Sequence, residues 1–562
     1  MSAPAGYERS SDTDRKAGAP TGATVGATGP AQPDDERSST TERMAGAPTG
    51  ATADRTTDPT FVDSLRANAR THPDKEALVH GDERVTWGAF DRAASRIANA
   101  LIARGVGPGD RVAILSSNTA RLVEIMAGTL RAGACMVPLS TMAAPDVLAR
   151  MVADSGARTL FLTDEWRALA AEVAVDTRIA IDFEADGWMP FADMLGDDTD
   201  PHVPVAERDL FAILYSSGTT GVPKGVVHDH LFRMRQNERM RASGIHEDAR
   251  ALVSTPLYSH ATLTAAVPTL AFGGTLVIMS RWDARESLAL MERERVTHAM
   301  MVPVQYKRLM DVADVESFDL ASLEHKYCTS APLREAVLRD VLARLPGAMI
   351  EFYGATEGGA TTVLRAHEHP DKLHTVGKPG PGVELRFIDE ADREVPARET
   401  GEVVGRSPAM MLGYHGNQAA TLAATWTAPD GERFVRSGDV GRLDEDGFLI
   451  LSDRRKDMII SGGLNLYADD LERVLLQHPA VDDCAVIAVP SEEWGETPLA
   501  LVVAREKAAA DELRDWANER LGRSQRLSAV ELRESLPRSP IGKILKRELR
   551  EPYWVGRERA IN

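Results

Sequence analysis

With 562 residues, 43% of them hydrophobic and 27% charged, the chain is too long for one ordinary core and has the composition of a soluble protein of several domains. A formal net charge of −19 argues against a general affinity for nucleic acid or anionic membrane, and no apolar run is long enough to span a bilayer. Cys135, Cys328 and Cys484 are too few and too scattered for a disulfide framework or a metal-ligand spacing. With no secretory signal in view, they fit a reducing cytoplasm.

Residues 1–57 are rich in Ala, Gly, Pro, Thr, Ser and Asp and repeat the string Ala-Gly-Ala-Pro-Thr-Gly-Ala-Thr at 17–24 and 45–52. Such a segment buries too little apolar surface to offset its ordering entropy and is expected to be disordered. Order is expected from Phe61. Phe90–Arg104 has helical periodicity, with Phe90, Ala94, Ile97, Ala98 and Leu101 on one face. After the glycine-rich break at 105–110 come a strand at Arg111–Leu115, a helix at Leu122–Ala132 and a strand at Cys135–Leu139. Further strands are predicted at Leu210–Tyr215, Thr275–Met279, Ala299–Val302 and Ala348–Tyr353. The alternation predicts an α/β protein with parallel sheets covered by helices. Beyond residue 380 the pattern changes to strands at Val383–Ile388, Gly401–Gly405 and Gly447–Leu451, an antiparallel sheet or small β-barrel. A last α+β unit has helices over Ala468–Gln477 and Asp511–Leu521 and a strand at Cys484–Val489.

The strand at Leu210 runs into Tyr215-Ser-Ser-Gly-Thr-Thr-Gly-Val-Pro-Lys-Gly225. Ser216, Ser217, Thr219 and Thr220 offer hydroxyls, Gly218, Gly221 and Gly225 allow close backbone approach, and Lys224 adds a cation. That is a phosphate cradle, although its spacing is not that of a Walker A loop. A run of glycines and hydroxyls alone would also suit a flexible surface loop; the full string directly after a buried strand favours phosphate.

Four further motifs follow in order: Tyr353-Gly-Ala-Thr-Glu-Gly-Gly359, Ser437-Gly-Asp-Val-Gly441, Asp453-Arg-Arg-Lys-Asp457 and Pro537-Arg-Ser-Pro-Ile-Gly-Lys543. With the loop, they make the chain resemble the adenylate-forming superfamily from about Phe61 to about Arg550, and most closely its acyl-CoA ligases. The resemblance implies a large N-terminal domain over 58–453, with two helix-covered sheets and a small β-barrel, and a small mobile C-terminal domain over 454–562. It also implies ATP, Mg²⁺ and coenzyme A as cofactors and co-substrates.

By the same resemblance, the nucleotide is held by Ser216, Ser217, Gly218, Thr219, Thr220, Lys224, Ser330, Ala331, Pro332, Gly354, Asp439 and Arg454, with Tyr353 stacked on adenine. Thr356 touches the α-phosphate and Glu357 ligates Mg²⁺, the usual role of a carboxylate beside substrate phosphates. Lys543 reaches the site from the small domain and stabilises developing charge. Lys456 is the implied hinge, and Gly462 and Gly463 flank the CoA tunnel. On residue type alone, Glu357 reads equally as a solvated carboxylate, Asp439 as a turn former and Lys543 as an exposed lysine.

The implied acyl pocket is lined by Tyr258, Ser259, His260, Val302, Thr329 and Ala355. Ser259 stands where many members carry a histidine, and His260 follows it; Thr329 stands where glycine is common. His228-Asp-His230 and His367-Glu-His369 lack a convergent ligand set and are read as loop or helix-cap residues rather than metal sites. The expected reaction is ATP-dependent activation of a carboxylic acid to an acyl-AMP, with release of pyrophosphate, then transfer to CoA. The rivals are an adenylation enzyme that loads a separate carrier protein, and a reduced relative that performs one half-reaction. A homodimer is left open, as is the acid.

Overall fold

The structure, a computed structural model, describes residues 59–216, 223–454, 456–461, 464–492, 494–506, 508–522, 525–539 and 542–555. The disorder expected over 1–57 and the phosphate-loop residues 217–222 lie outside the described residues.

The first described helix starts at Phe61. Thr60 caps the helix Phe61–Thr71 in a reciprocal capping box with Asp63. The next helix, Trp87–Ile102, starts three residues before the predicted Phe90, because Thr86 accepts from Ala89 N and Trp87 is fully buried. Its predicted face of Phe90, Ala94, Ile97, Ala98 and Leu101 is buried as expected. Against it packs Ala120–Arg131, close enough that a Cβ on Gly128 would stand 2.5 Å from Ile97 Cβ.

Two sheets share the resulting core. The nine-stranded sheet runs in the order Lys378–Pro379, Thr362–Arg365, Ala348–Tyr353, His325–Cys328, His298–Met301, Arg250–Val253, Thr275–Ile278, Glu76–His80, Glu83–Thr86. Its strands from Ala348–Tyr353 to Glu76–His80 are parallel. The eight-stranded sheet runs Gly413–Tyr414, Lys224–Asp229, Leu210–Ser216, Cys135–Pro138, Arg111–Leu115, Thr159–Leu162, Thr177–Ala180, Met189–Pro190. Phe211 and Met136 from this sheet meet Leu276 and Ile278 from the other in one apolar cluster with the helices between them. Such doubly covered parallel strands explain the near-continuous apolar runs in the sequence.

The third sheet is antiparallel, in the order Glu394–Val395, Glu384–Ile388, Gly401–Arg406, Arg433–Leu443, Thr425–Thr427, with Leu449–Arg454 on Arg433–Leu443. Among the described residues no strand pair closes it into a ring. Side chains tie strands Thr425–Thr427 and Arg433–Leu443 to the 389–393 turn: Trp426 Nε1 donates to Asp392 O (3.0 Å) and Arg436 Nη2 pairs with Asp392 (2.6 Å). The strand predicted at Gly447 begins later, at Leu449, because Asp444 accepts from Asp446 N and Phe448 N and holds a turn there.

The C-terminal unit has a five-stranded sheet with helices Ala468–Leu475 and Ala510–Asn518. The strand predicted at Cys484–Val489 is longer, Val481–Ser491, because it pairs along its length with Gly495–Ala504. All three cysteines are free and buried, one in each of the nine-, eight- and five-stranded sheets. Burial pushes the Cys135 thiol up to about 12, and raises Cys328 and Cys484 well above the ordinary value. No helix among the described residues is long and apolar enough to cross a membrane.

Candidate active site

Ala348–Tyr353, His325–Cys328, His298–Met301 and Arg250–Val253 are neighbours in the nine-stranded sheet and run parallel, so their C-terminal ends share one edge. Those ends lead into 354–357, 329–332, 302–305 and 254–260, the segments that carry the expected nucleotide, metal and acyl-pocket residues. Ligands of open parallel sheets bind at this edge. The topology thus gathers residues that are about a hundred positions apart in the chain.

The phosphate loop belongs to the other sheet. Ser216 and Lys224 face each other in the antiparallel pair at its base, while Ser217, Gly218, Thr219 and Thr220 lie outside the described residues. Lys224 is tied to the segment expected to hold metal through Tyr414, which sequence reasoning missed. Tyr414 donates to Glu357 Oε1 at 2.7 Å, and Lys224 Nζ lies 4.9 Å from its ring centroid. Burial, and then the Glu357 carboxylate, suppress ionisation of this phenol. Its segment is fixed on both sides: Met411 N donates to Glu357 O (2.9 Å), and Gly413 and Tyr414 pair with Val227 and Val226. No charge or spacing marked Tyr414 in the sequence.

Tyr353 and Asp439 meet directly, with the phenol donating to Asp439 Oδ2 at 2.8 Å. Asp439 is opposite Arg454 in the strand pair, and its N–H donates to Ser437 Oγ at 3.0 Å. Gly438 takes φ +71 in the irregular stretch between them. Gly354 and Ala355 are exposed at the end of the Tyr353 strand.

Behind Thr356 lies a buried polar relay. His228 Nε2 donates to Thr356 O (2.7 Å), and Arg233 Nη2 donates to His228 Nδ1 (3.1 Å). Arg233 Nη1 continues to Gln236 Oε1 (2.7 Å). His260 lies edge-on to His228, ring centroids 5.3 Å apart, and its Nε2 is 3.5 Å from Gln236 Nε2. Burial, reinforced by Arg233, holds both histidines neutral, and burial pulls Arg233 itself down to about 9. His228 and His230 are therefore core residues rather than loop residues; of that trio only Asp229 is a cap, accepting from Phe232 N at 2.8 Å.

The next loop is pinned as well. Thr329 Oγ1 donates to Phe352 O (2.9 Å), which turns its branched side chain toward the neighbouring strand. Ser330 then adopts φ +86, a strained position for a residue with a Cβ. Buried Glu351, pushed up to about 8 by burial, accepts from Leu333 N (3.4 Å), just beyond Ala331 and Pro332. Tyr258 is largely buried, and Ser259 stands at the N-cap of His260–Ala271 without a capping hydrogen bond.

Lys543 comes from the C-terminal unit. Its N–H donates to Ser539 Oγ (3.1 Å), and Gly542 before it takes φ +77 against the large unit. A Cβ on Gly542 would stand 2.5 Å from Val304 Cγ1 and 3.9 Å from Val302 Cγ2. The lysine loop is thus seated at the expected acyl-pocket wall. Lys456 O accepts from Arg550 Nη1 (3.4 Å), and Asp457 pairs with the same guanidinium (3.2 Å). Gly462 and Gly463 lie outside the described residues, between the paired strands Ile459–Ser461 and Leu464–Leu466. The end of the Ala348–Tyr353 strand is thus linked to Asp439 through Tyr353 and to Lys224 through Glu357 and Tyr414, a set suited to binding polyphosphate and metal.

The AMP-binding enzyme family matches residues 65–415, and the family's C-terminal domain matches 470–543. A feruloyl-CoA synthase from an Amycolatopsis species is 36% identical over 86% of this chain and 97% of its own. A fatty acid–[acyl-carrier-protein] ligase, ScoC of Streptomyces coeruleorubidus, is 33% identical over 90% and 98%. Among solved structures, o-succinylbenzoate CoA synthetase from Bacillus subtilis, in complex with its acyl-adenylate, superposes with TM-score 0.77 at 27% identity over 88% of this chain and 98% of that one. The fold and site define an adenylate-forming enzyme. The chain belongs to the AMP-binding enzyme family, on the side of its acid–thiol ligases.

Proposed function

We propose that the protein activates a carboxylic acid with ATP, as an acyl-AMP with release of pyrophosphate, and then transfers the acyl group to CoA. The observation that carries this reading is the seating of the Gly542–Lys543 loop at Val302–Val304, on the sheet edge that also presents Tyr353–Glu357. From that seat the Lys543 ammonium would serve the place where two anions must meet, the carboxylate and the α-phosphate. Lys224 and the phosphate loop hold the β- and γ-phosphates, and Asp439 with Arg454 binds the ribose beside Tyr353. The domains divide at 453/454, with Lys456 as hinge.

Glu357 fits a divalent cation. One carboxylate oxygen is held by Tyr414, and the other has no protein hydrogen bond among the described residues. Glu357 would hold a magnesium ion, which would supply positive charge against the phosphates, and Tyr414 fixes one oxygen of that carboxylate. A second reading, transfer to a carrier protein, is favoured by the likeness to the carrier-protein ligase.

Acid-dependent ATP–pyrophosphate exchange over aromatic, medium-chain and long-chain acids tests the first step. Thioester formation with CoA, and separately with a carrier protein, tests the second. Exchange with thioester on CoA is the expected result. Turnover of synthetic acyl-adenylates without any exchange would replace this reading by that of a one-step enzyme.

A further inference from the structure

The C-terminal unit meets the large unit through two adjacent carboxylates at the start of the strand Val481–Ser491. Asp482 Oδ1 lies 3.2 Å from Lys307 Nζ, and Asp482 O accepts from Arg334 Nη1 at 3.3 Å. Asp483 is shared: Oδ1 takes Arg334 Nη2 of the large unit, and Oδ2 takes Arg538 Nη2 of its own unit. Arg538 does not stop there, since its Nη1 donates to Gly542 O at 2.6 Å, one residue before Lys543. A chain of charge-assisted hydrogen bonds therefore runs from the large unit, through one carboxylate, into the backbone of the lysine loop.

We propose that Asp483 is a positioning residue for acyl-adenylate formation. By accepting from Arg334 and Arg538 together, it couples the seating of the C-terminal unit to the placement of the Lys543 loop. The inference rests on the reading of Lys543 given above. Both arginines start from the helix or loop that flanks a site segment: Arg334 follows Ser330–Pro332, and Arg538 opens the turn that ends at Lys543. Asp483 is 14% exposed, Arg334 34% and Arg538 32%, so the pairs are shielded more than ordinary surface pairs. Among the described residues the Arg334 guanidinium bonds to Asp482 and Asp483 and to none of the expected nucleotide-site residues.

The test separates the two half-reactions in the full-length chain. Ferulate and decanoate serve as acids for pyrophosphate exchange, and synthetic feruloyl-AMP and decanoyl-AMP with CoA report the second step. Arg334→Ala is expected to slow exchange about fivefold, the loss of a partly shielded ion pair, and Asp483→Asn roughly thirtyfold, because two guanidiniums lose their partner. Transfer from the supplied adenylate stays within about twofold of the parent in both. The double variant is no slower than Asp483→Asn alone, and Arg334→Lys recovers most of the rate. Equal loss of both half-reactions, multiplicative loss in the double variant, or unchanged exchange would overturn the proposal.

Spin labels at Arg339→Cys and Glu519→Cys, exposed positions on the two units, supply a second readout. The interlabel distance is expected to be narrow in the parent and broad in Arg334→Ala; an identical distribution would refute the coupling. If the parent shows neither half-reaction with these probes, the functional reading fails, while the label distances still decide whether Asp483 holds the units together. Should Asp483→Asn unfold, Arg334→Ala carries the same arms.

Discussion

Tyr414 has no charge, yet its hydroxyl fixes one oxygen of Glu357 while its ring receives Lys224. Tyr414→Phe keeps the ring and deletes the hydrogen bond. It is expected to raise the Mg²⁺ concentration needed for half-maximal exchange roughly tenfold, the usual cost of losing a partner that orients a metal ligand. A magnesium titration of initial rates checks this, and an unchanged midpoint would detach Tyr414 from the metal site. Lys543→Ala is expected to lower acyl-adenylate formation by about 10²–10³ while sparing transfer from a supplied adenylate; measured together, equal losses would remove the lysine from the first step. Lys543 and Glu357 could be singled out in the sequence because their neighbours form recognisable strings. Tyr414 could not, since its meaning depends on a strand pairing with Val226 that no local pattern reveals.

Elements show where periodicity was enough and where it failed. The strands at Arg111–Leu115 and Ala348–Tyr353 fall where predicted because they are apolar runs closed by turn residues. The histidines at 228 and 230 were misjudged because burial is invisible in a local charge pattern. His230 begins the helix His230–Ala242, fully buried, and burial pulls its pKa down to about 4. The folded state therefore resists a proton that the unfolded chain accepts near 6.5. Stability from this group is complete above pH 6.5 and is lost as pH falls from 6.5 toward 4. Relative to His230→Leu, the parent should lose about 3 kcal/mol over that window, as read from urea unfolding at several pH values; a constant difference would mean the ring protonates without penalty. At the lysine loop, Gly542→Ala forces a Cβ toward Val304 and strains a positive φ. A cost of about 1–3 kcal/mol should appear as a roughly ten- to hundredfold slower first half-reaction, with transfer from a supplied adenylate unchanged.

For the whole molecule, the order of the motifs foretold a site assembled from distant segments, but the means of assembly became visible only in three dimensions. The parallel strands bring 254–260, 302–305, 329–332 and 354–357 to one edge, and the pairs Lys307–Asp482 and Arg334–Asp483 bring the C-terminal unit to it. Those pairs join residues too far apart for any periodicity to connect. The distribution of the thiols has a practical consequence at this scale. Because Cys328, Cys135 and Cys484 each sit in a different sheet and are all buried, a thiol-reactive dye acts as a counter of opened sheets. Native protein should give no fast reaction and fully unfolded protein three equivalents, and alkylation followed by peptide mapping at intermediate denaturant would tell which sheet gave way first. A modified Cys484 with Cys135 and Cys328 untouched would mean that the C-terminal unit comes apart before the rest of the chain.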